Sequence, residues 1–125
     1  MAALLIEADI RTKAWKGNKV MRGIDHVVIA VNEIEKARKT FEKMGFKVTP
    51  KALHPFGTEN FLVQLNDNFI EIVSVNDISL VPPHTKEKYS FAQANVDFLS
   101  YKEGMSSLVF QSLDARRDRE EFLAS

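Results

Sequence analysis

Gly23-Ile24-Asp25-His26-Val27-Val28-Ile29-Ala30-Val31-Asn32 is the stretch on which the reading of this chain turns. Ile24, Val27, Val28, Ile29 and Val31 form a short apolar run opened by glycine, the signature of a buried strand. Asn32, followed three positions later by Glu35, has the spacing of a capping box and predicts that a helix starts there. Ile34, Ala37, Phe41 and Met44 then recur at helical spacing and give that helix its buried stripe. Gly45 ends it, since glycine takes a left-handed cap at no steric cost.

Downstream, residues 46–49 predict a second strand, broken by Pro50. A loop carries His54-Pro55-Phe56-Gly57-Thr58-Glu59-Asn60, in which Thr58 and Asn60 are turn formers. Two more strands follow over 61–65 and 69–75. The Asn66-Asp67-Asn68 turn between them tolerates the positive φ of a tight hairpin. The order over 23–75 is therefore strand, helix, strand, strand, strand, a complete βαβββ unit. Upstream, Ala3, Ile6, Ile10 and Ala14 sit at helical spacing and predict an N-terminal helix within 1–20, ending near Gly17-Asn18; Met21 is an alternative start.

Residues 76–103 are a connector with Pro82-Pro83 and a helix over 90–101 that buries Phe91, Ala94, Val96 and Phe98 or Leu99. The segment 104–125 then echoes the opening stretch. Gly104-Met105-Ser106-Ser107-Leu108-Val109-Phe110 repeats the layout of Gly23 to Ile29, and Phe122 stands relative to Gly104 as Phe41 does to Gly23. The chain stops after that second helix. One domain thus holds a full βαβββ module and the strand-helix start of another, an α+β fold with a curved mixed sheet.

The composition narrows function by exclusion. The 125 residues suffice for one domain with a proper core. Seventeen Lys and Arg offset 17 Asp and Glu, for a net charge of zero, so neither nucleic acid nor an anionic membrane is the expected partner. There are no cysteines, which removes disulfides, thiolate metal sites and cysteine nucleophiles. No apolar run is long enough to span a bilayer, and Glu7, Asp9 and Arg11 break up the N-terminal run a signal peptide would need. The expected location is the cytoplasm.

Two polar residues interrupt strands where hydrophobic ones are expected, His26 and Glu71. Side chains alternate across a strand, so His26 shares a face with Ile24, Val28 and Ala30, and Glu71 shares one with Phe69 and Val73. An imidazole and a carboxylate on an apolar sheet surface are half of a divalent-metal site. The plainer readings are a hydrogen-bonded core histidine and a glutamate paired with Arg or Lys at a sheet edge. His54 either shapes its loop or contacts a ligand. Asp25 points to the other face and is the weaker candidate, while Trp15, Phe56 and Phe61 read as packing. His84 falls in the connector and is expected to face solvent. No phosphate-binding glycine loop, zinc-protease helix or Ser-His-Asp spacing occurs.

The Gly23-to-Val31 strand, the helix closed by Gly45-Phe46, the His54-to-Asn60 loop and Phe69-Ile70-Glu71-Ile72 together resemble the glyoxalase-like domain family of the vicinal-oxygen-chelate superfamily. The Gly57-Thr58-Glu59-Asn60 element is the most specific part of that resemblance. The resemblance implies two βαβββ modules paired into a curved sheet around a small-molecule cavity. It also implies a His on the first strand and a Glu on the last strand of each module around one metal. His26 and Glu71 match that pair in the first module. In the second, Ser107 stands at the histidine position, and the strand for the second glutamate is missing.

Three readings stay open: a metal-assisted enzyme, a metal-free small-molecule binding module, and a structural remnant. The favoured one is binding, with His26, Glu71, His54, Asn60, Val28 and Phe69 as ligand contacts in a pocket that also includes Val73. No metal is expected to be tightly bound, and a divalent ion on His26 and Glu71 is the competing case. Whether the protein is catalytic is left open. An incomplete second module should expose a sheet edge, so a homodimer is expected.

Overall fold

The computed structural model describes residues 22–125 in full and, ahead of them, only the backbone of Ala3–Ala8, Ala14–Trp15 and Lys19–Val20. In chain order the elements are β1 (Ala3–Ala8), β2 (Ala14–Trp15), β3 (Lys19–Val20), β4 (Ile24–Ala30), α1 (Ile34–Lys43), β5 (Ala52–Leu53), β6 (Thr58–Gln64), β7 (Phe69–Val75), α2 (Phe91–Leu99), β8 (Gly104–Ser112) and α3 (Ala115–Ala124). One sheet runs in the order β1-β8-β4-β7-β6-β5. β4 is parallel to β7 and antiparallel to β8, while β5, β6 and β7 run antiparallel in succession. This is the expected α+β arrangement, a βαβββ module followed by the strand and helix that open a second.

β4 lies mid-sheet because both of its faces can be buried. On one face Ile34 of α1 packs with Phe61, Val63 and Ile72, joined by Ile29, Val31, Ala37 and Phe41. On the other, Val28, Ala30, Val73 and Val109 pack under Phe98 of α2, with Phe91 and Leu99 at the margin. The stripe on α1 ends one turn earlier than its spacing suggests. Met44 is 58% exposed and stands at the C-cap, past the last residue of α1. Gly45, at φ 91°, closes the helix as anticipated.

Several local expectations give way to tertiary contacts. Glu33, in extended conformation, caps α1 without a side-chain bond. The capping box of Asn32 and Glu35 does not form, because the Asn32 N–H is taken by the Glu103 carboxylate at 2.7 Å. The strand expected over 46–49 is reduced to a single bridge between Val48 and Val63. Pro50 has no N–H to extend it, and pairing resumes only at β5. β6 starts three residues earlier than expected, so Thr58 and Asn60 are strand residues rather than turn formers.

In α2 the Ser90 hydroxyl caps the helix by accepting from the Gln93 N–H at 3.1 Å. Ala92, Asn95 and Phe98 are its buried residues, not Ala94 and Val96. Asn95 is tolerated in the core because it is satisfied twice. It donates to the Phe91 carbonyl at 2.9 Å and accepts from the Ser106 hydroxyl at 2.7 Å. His84 is exposed, 39% of its side chain facing solvent as expected, yet its ring is also engaged. Its Nδ1 accepts from the Ser90 N–H at 3.1 Å, and its Nε2 lies 3.6 Å from Asp97.

The N-terminal helix expected within 1–20 is not what the described backbone forms there. Ala3–Ala8 is a strand parallel to β8, and Ala14–Trp15 pairs with Lys19–Val20. Residues 1–2, 9–13, 16–18 and 21, Ile10 among them, lie outside the described residues. A run as short as Ala3-Leu4-Leu5-Ile6 cannot be assigned by periodicity alone, and the open edge of β8 decides it. β1 lies beside β8 as β7 lies beside β4, both parallel. It therefore takes the place of the second module's last strand, which the sequence alone made appear absent. At the register of Glu71 opposite Val28, the second module has Leu5 opposite Val109.

Candidate functional site

The sheet face under α2 brings His26 and Glu71 together. His26 faces Phe69 across the parallel pair, and Glu71 is two residues further along, opposite Val28 and on the same face as Phe69. The imidazole is 4% exposed and lies flat on the Phe69 ring, centroids 4.3 Å apart and planes 12° off parallel. Its Nδ1 is 2.7 Å from Asp25 Oδ2, and its Nε2 is 3.5 Å from Glu71 Oε2. The other carboxylate oxygen of Glu71 accepts from the Asn60 amide at 2.8 Å. No Arg or Lys among the described residues pairs with Glu71.

Burial alone would push the Glu71 carboxyl up. The facing His26, the Asn60 amide and a weaker pull from His54 outweigh it and hold the group below the usual glutamate value. Glu71 is thus a half-buried carboxylate, its side chain 12% exposed. His54 sits on the strand-loop edge nearby. Its N–H donates to the Thr58 carbonyl at 2.8 Å, its Nδ1 is 2.7 Å from the Thr58 hydroxyl, and its ring stacks on Phe56 at 4.9 Å.

Of the residues singled out from sequence, His26, Glu71, Asn60 and Phe69 converge here, with His54 close by. Val28 and Val73 are fully buried beneath α2, so they support the site from below. Asp25, the weaker candidate by alternation, has its carboxylate against the histidine. Ser107, opposite Val28 on β8, is 1% exposed. Its hydroxyl finds no well-formed hydrogen bond among the described residues, and the Tyr89 phenol is its polar neighbour. A cleft of about 290 Å³ opens elsewhere, among Val31, Val75, Ile78, Val96 and Leu99, and does not include His26 or Glu71.

A divalent ion was the competing occupant. Two ligands of a tetrahedral ion, each at about 2.1 Å, stand roughly 3.4 Å apart, close to the 3.5 Å between Nε2 and Oε2. Among the described residues, however, no group of three or more His, Cys, Asp or Glu side chains converges as a metal site. The donor set of these residues does not fit a resident metal ion.

A βαβββ module whose first strand pairs antiparallel with the first strand of a second module defines a protein of vicinal-oxygen-chelate fold. Within that class, residues 24–125 match the model of the glyoxalase-like domain, and the chain belongs to that family. The fold is similar to a hypothetical protein of Bacillus halodurans, with 16% identity and a TM-score of 0.61, covering 82% of this chain and 67% of that one. A hypothetical protein of Staphylococcus aureus gives 19% identity and a TM-score of 0.65, covering 83% of this chain and 42% of that one. Methylmalonyl-CoA epimerase from Mycobacterium tuberculosis gives 23% identity and a TM-score of 0.58, covering 80% of this chain and 64% of that one. At these identities the likeness speaks for the fold alone. The chain spans less than half the length of the staphylococcal protein and under two thirds of the epimerase. No curated protein sequence matches it, and no helix among the described residues is long and apolar enough to cross a membrane.

Proposed function

We propose that this chain binds a small organic molecule on the α2 face of the sheet, with His26 and Glu71 as polar anchors beside Phe69. The observation that carries the reading is the half-buried Glu71 carboxylate. A carboxylate kept ionised in an apolar surface, with one oxygen satisfied by Asn60 and the other facing an imidazole, is poised for a polar ligand group. Asn60 and His54 contribute to the rim in this reading.

The test is a fragment screen by NMR on the full chain, with methylmalonyl-CoA among the probes because a similar fold belongs to its epimerase. Bound fragments should shift the amides of His26, Phe69, Asn60 and Glu71. Glu71→Gln should weaken them about 10- to 100-fold, the loss of one charged hydrogen bond of roughly 1.5–3 kcal/mol, while leaving the fold intact. Fragments that map only to other surfaces, or bind the variant equally well, would refute the assignment.

A homodimer is part of the same reading, each chain supplying one complete module. β1 ends the sheet, and edge strands are usually covered. Phe122 and Leu123 on α3 are 62% and 70% exposed near the incomplete module. Light scattering at micromolar concentration should give twice the 14.2 kDa of one chain; a monomer throughout that range would exclude the dimer.

A further inference from the structure

The loop between β5 and β6 brings a second imidazole to the face that carries Glu71. Thr58 stands opposite Val75, Asn60 opposite Val73 and Leu62 opposite Glu71, and side chains two apart on a strand share a face. Thr58 and Asn60 therefore lie on the α2 face, where the Asn60 amide reaches Glu71. The His54 ring joins them, because its Nδ1 is 2.7 Å from the Thr58 hydroxyl. The His54 N–H bonded to the Thr58 carbonyl at 2.8 Å and the stack on Phe56 at 4.9 Å fix where the ring sits. Thr58 is 0% exposed, so bulk water does not reach its hydroxyl. Among the described residues, Nδ1 of His54 is the hydrogen-bond partner of that hydroxyl. Were the ring proton on Nδ1, it would point at the hydroxyl oxygen and leave the hydroxyl proton buried without an acceptor. Such a group costs more than an ordinary hydrogen bond returns.

We propose that Thr58 is a positioning residue: its buried hydroxyl donates to Nδ1 of His54, the ring proton stays on Nε2, and that N–H takes a carbonyl oxygen of the ligand. A neutral imidazole carries one proton, and the bond made at one nitrogen decides the other's role. His54 is half-buried, and no described residue accepts from its Nε2. The face then offers a donor on the loop beside the Glu71 carboxylate on β7. A neutral carbonyl compound suits it, since an anionic one would meet the like charge of Glu71. The ligand class rests on the binding reading above; the tautomer does not.

The experiment is long-range nitrogen-15 correlation NMR of the histidine rings, on the ligand-free full chain in mildly alkaline buffer. His54 should show a protonated Nε2 and an unprotonated Nδ1. In Thr58→Val, which keeps the shape and removes the hydroxyl, the Nδ1 frequency should move, with the ring signals of His26 and His84 unchanged as the check on folding. A wild-type His54 that carries its proton on Nδ1 overturns the proposal even if the variant does not fold, as does a folded Thr58→Val with unchanged His54 frequencies. For the ligand, lactamide titrated into the full chain should shift the amides of His54 and Glu71. His54→Phe, which can keep the stack on Phe56, should weaken that binding about 2- to 10-fold, the loss of one neutral hydrogen bond. Equal binding by His54→Phe overturns the donor role. A ring protonated on Nε2 in a chain that binds neither lactamide nor any other fragment supports the positioning role and refutes the binding reading alone.

Discussion

Replacing Gly57 with alanine is expected to destabilise the protein by about 3–5 kcal/mol and lower its melting temperature by roughly 10 °C or more. Gly57 has a φ of 83°, where any side chain is strained. A Cβ there would stand 2.2 Å from the Asp77 carbonyl oxygen and 3.0 Å from Val81 Cγ2. The first neighbour is backbone and cannot rotate away. It is held in place by the Asn76 and Asp77 N–H groups, which both donate to the Gly57 carbonyl at 3.0 and 3.2 Å. The loop that presents His54 therefore depends on this one glycine to lie against the end of β7. Thermal melts of Gly57→Ala test it; a melting temperature within about 1–2 °C of wild type would show that the close approach is dispensable.

Phe61→Ala should cost about 3–5 kcal/mol, the usual range for deleting a buried phenylalanine. Phe61 is 0% exposed at the centre of the cluster under α1, and it meets the edge of Phe41 at 6.2 Å. Phe122 is the informative control, because it occupies the place of Phe41 in the second, incomplete module. No counterpart of β6 lies beneath it among the described residues, and it is 62% exposed. Phe122→Ala should change stability by under about 0.5 kcal/mol in dilute protein, as surface substitutions do. Urea denaturation of both variants measures the contrast. Equal losses for the two would mean that Phe122 has a buried partner, and that the second module is more complete than its visible strands.

The candidate site was half legible before any coordinates. His26 and Glu71 stood out because each breaks an apolar run, and strand alternation gave each its own face. That the two faces coincide is a matter of pairing register between β4 and β7, which neither strand specifies by itself. Asn60 was placed in a turn because Gly57-Thr58-Glu59-Asn60 has turn composition; its amide reaches Glu71 only because β6 extends back to Thr58. Asp25 was the weaker candidate by the same alternation rule, yet its carboxylate meets His26 at 2.7 Å beside a bulge in the pairing of β4 with β8. A bulge needs a partner strand to define it, and β8 lies some 80 residues further along the chain.

The sequence by itself determined what is carried by short-range pattern. The β4-α1 start, the hairpin of β6 and β7, the helix stop at Gly45 and the repeat at Gly104 all follow from apolar spacing and from glycine's freedom at positive φ. It also determined, through balanced charge and the lack of cysteine, which classes of chemistry to set aside. Tertiary structure decided whatever depends on an edge or a partner. Ala3–Ala8 became a strand because β8 offered a row of unpaired backbone groups, and burying such groups unpaired costs more than local helix preference returns. Asn32 lost the expected capping box for the same reason, its N–H donating to Glu103 instead. At such places a hydrogen-bonding group takes the partner that the assembled sheet brings within reach, as Asn32 takes Glu103 from the far end of the chain.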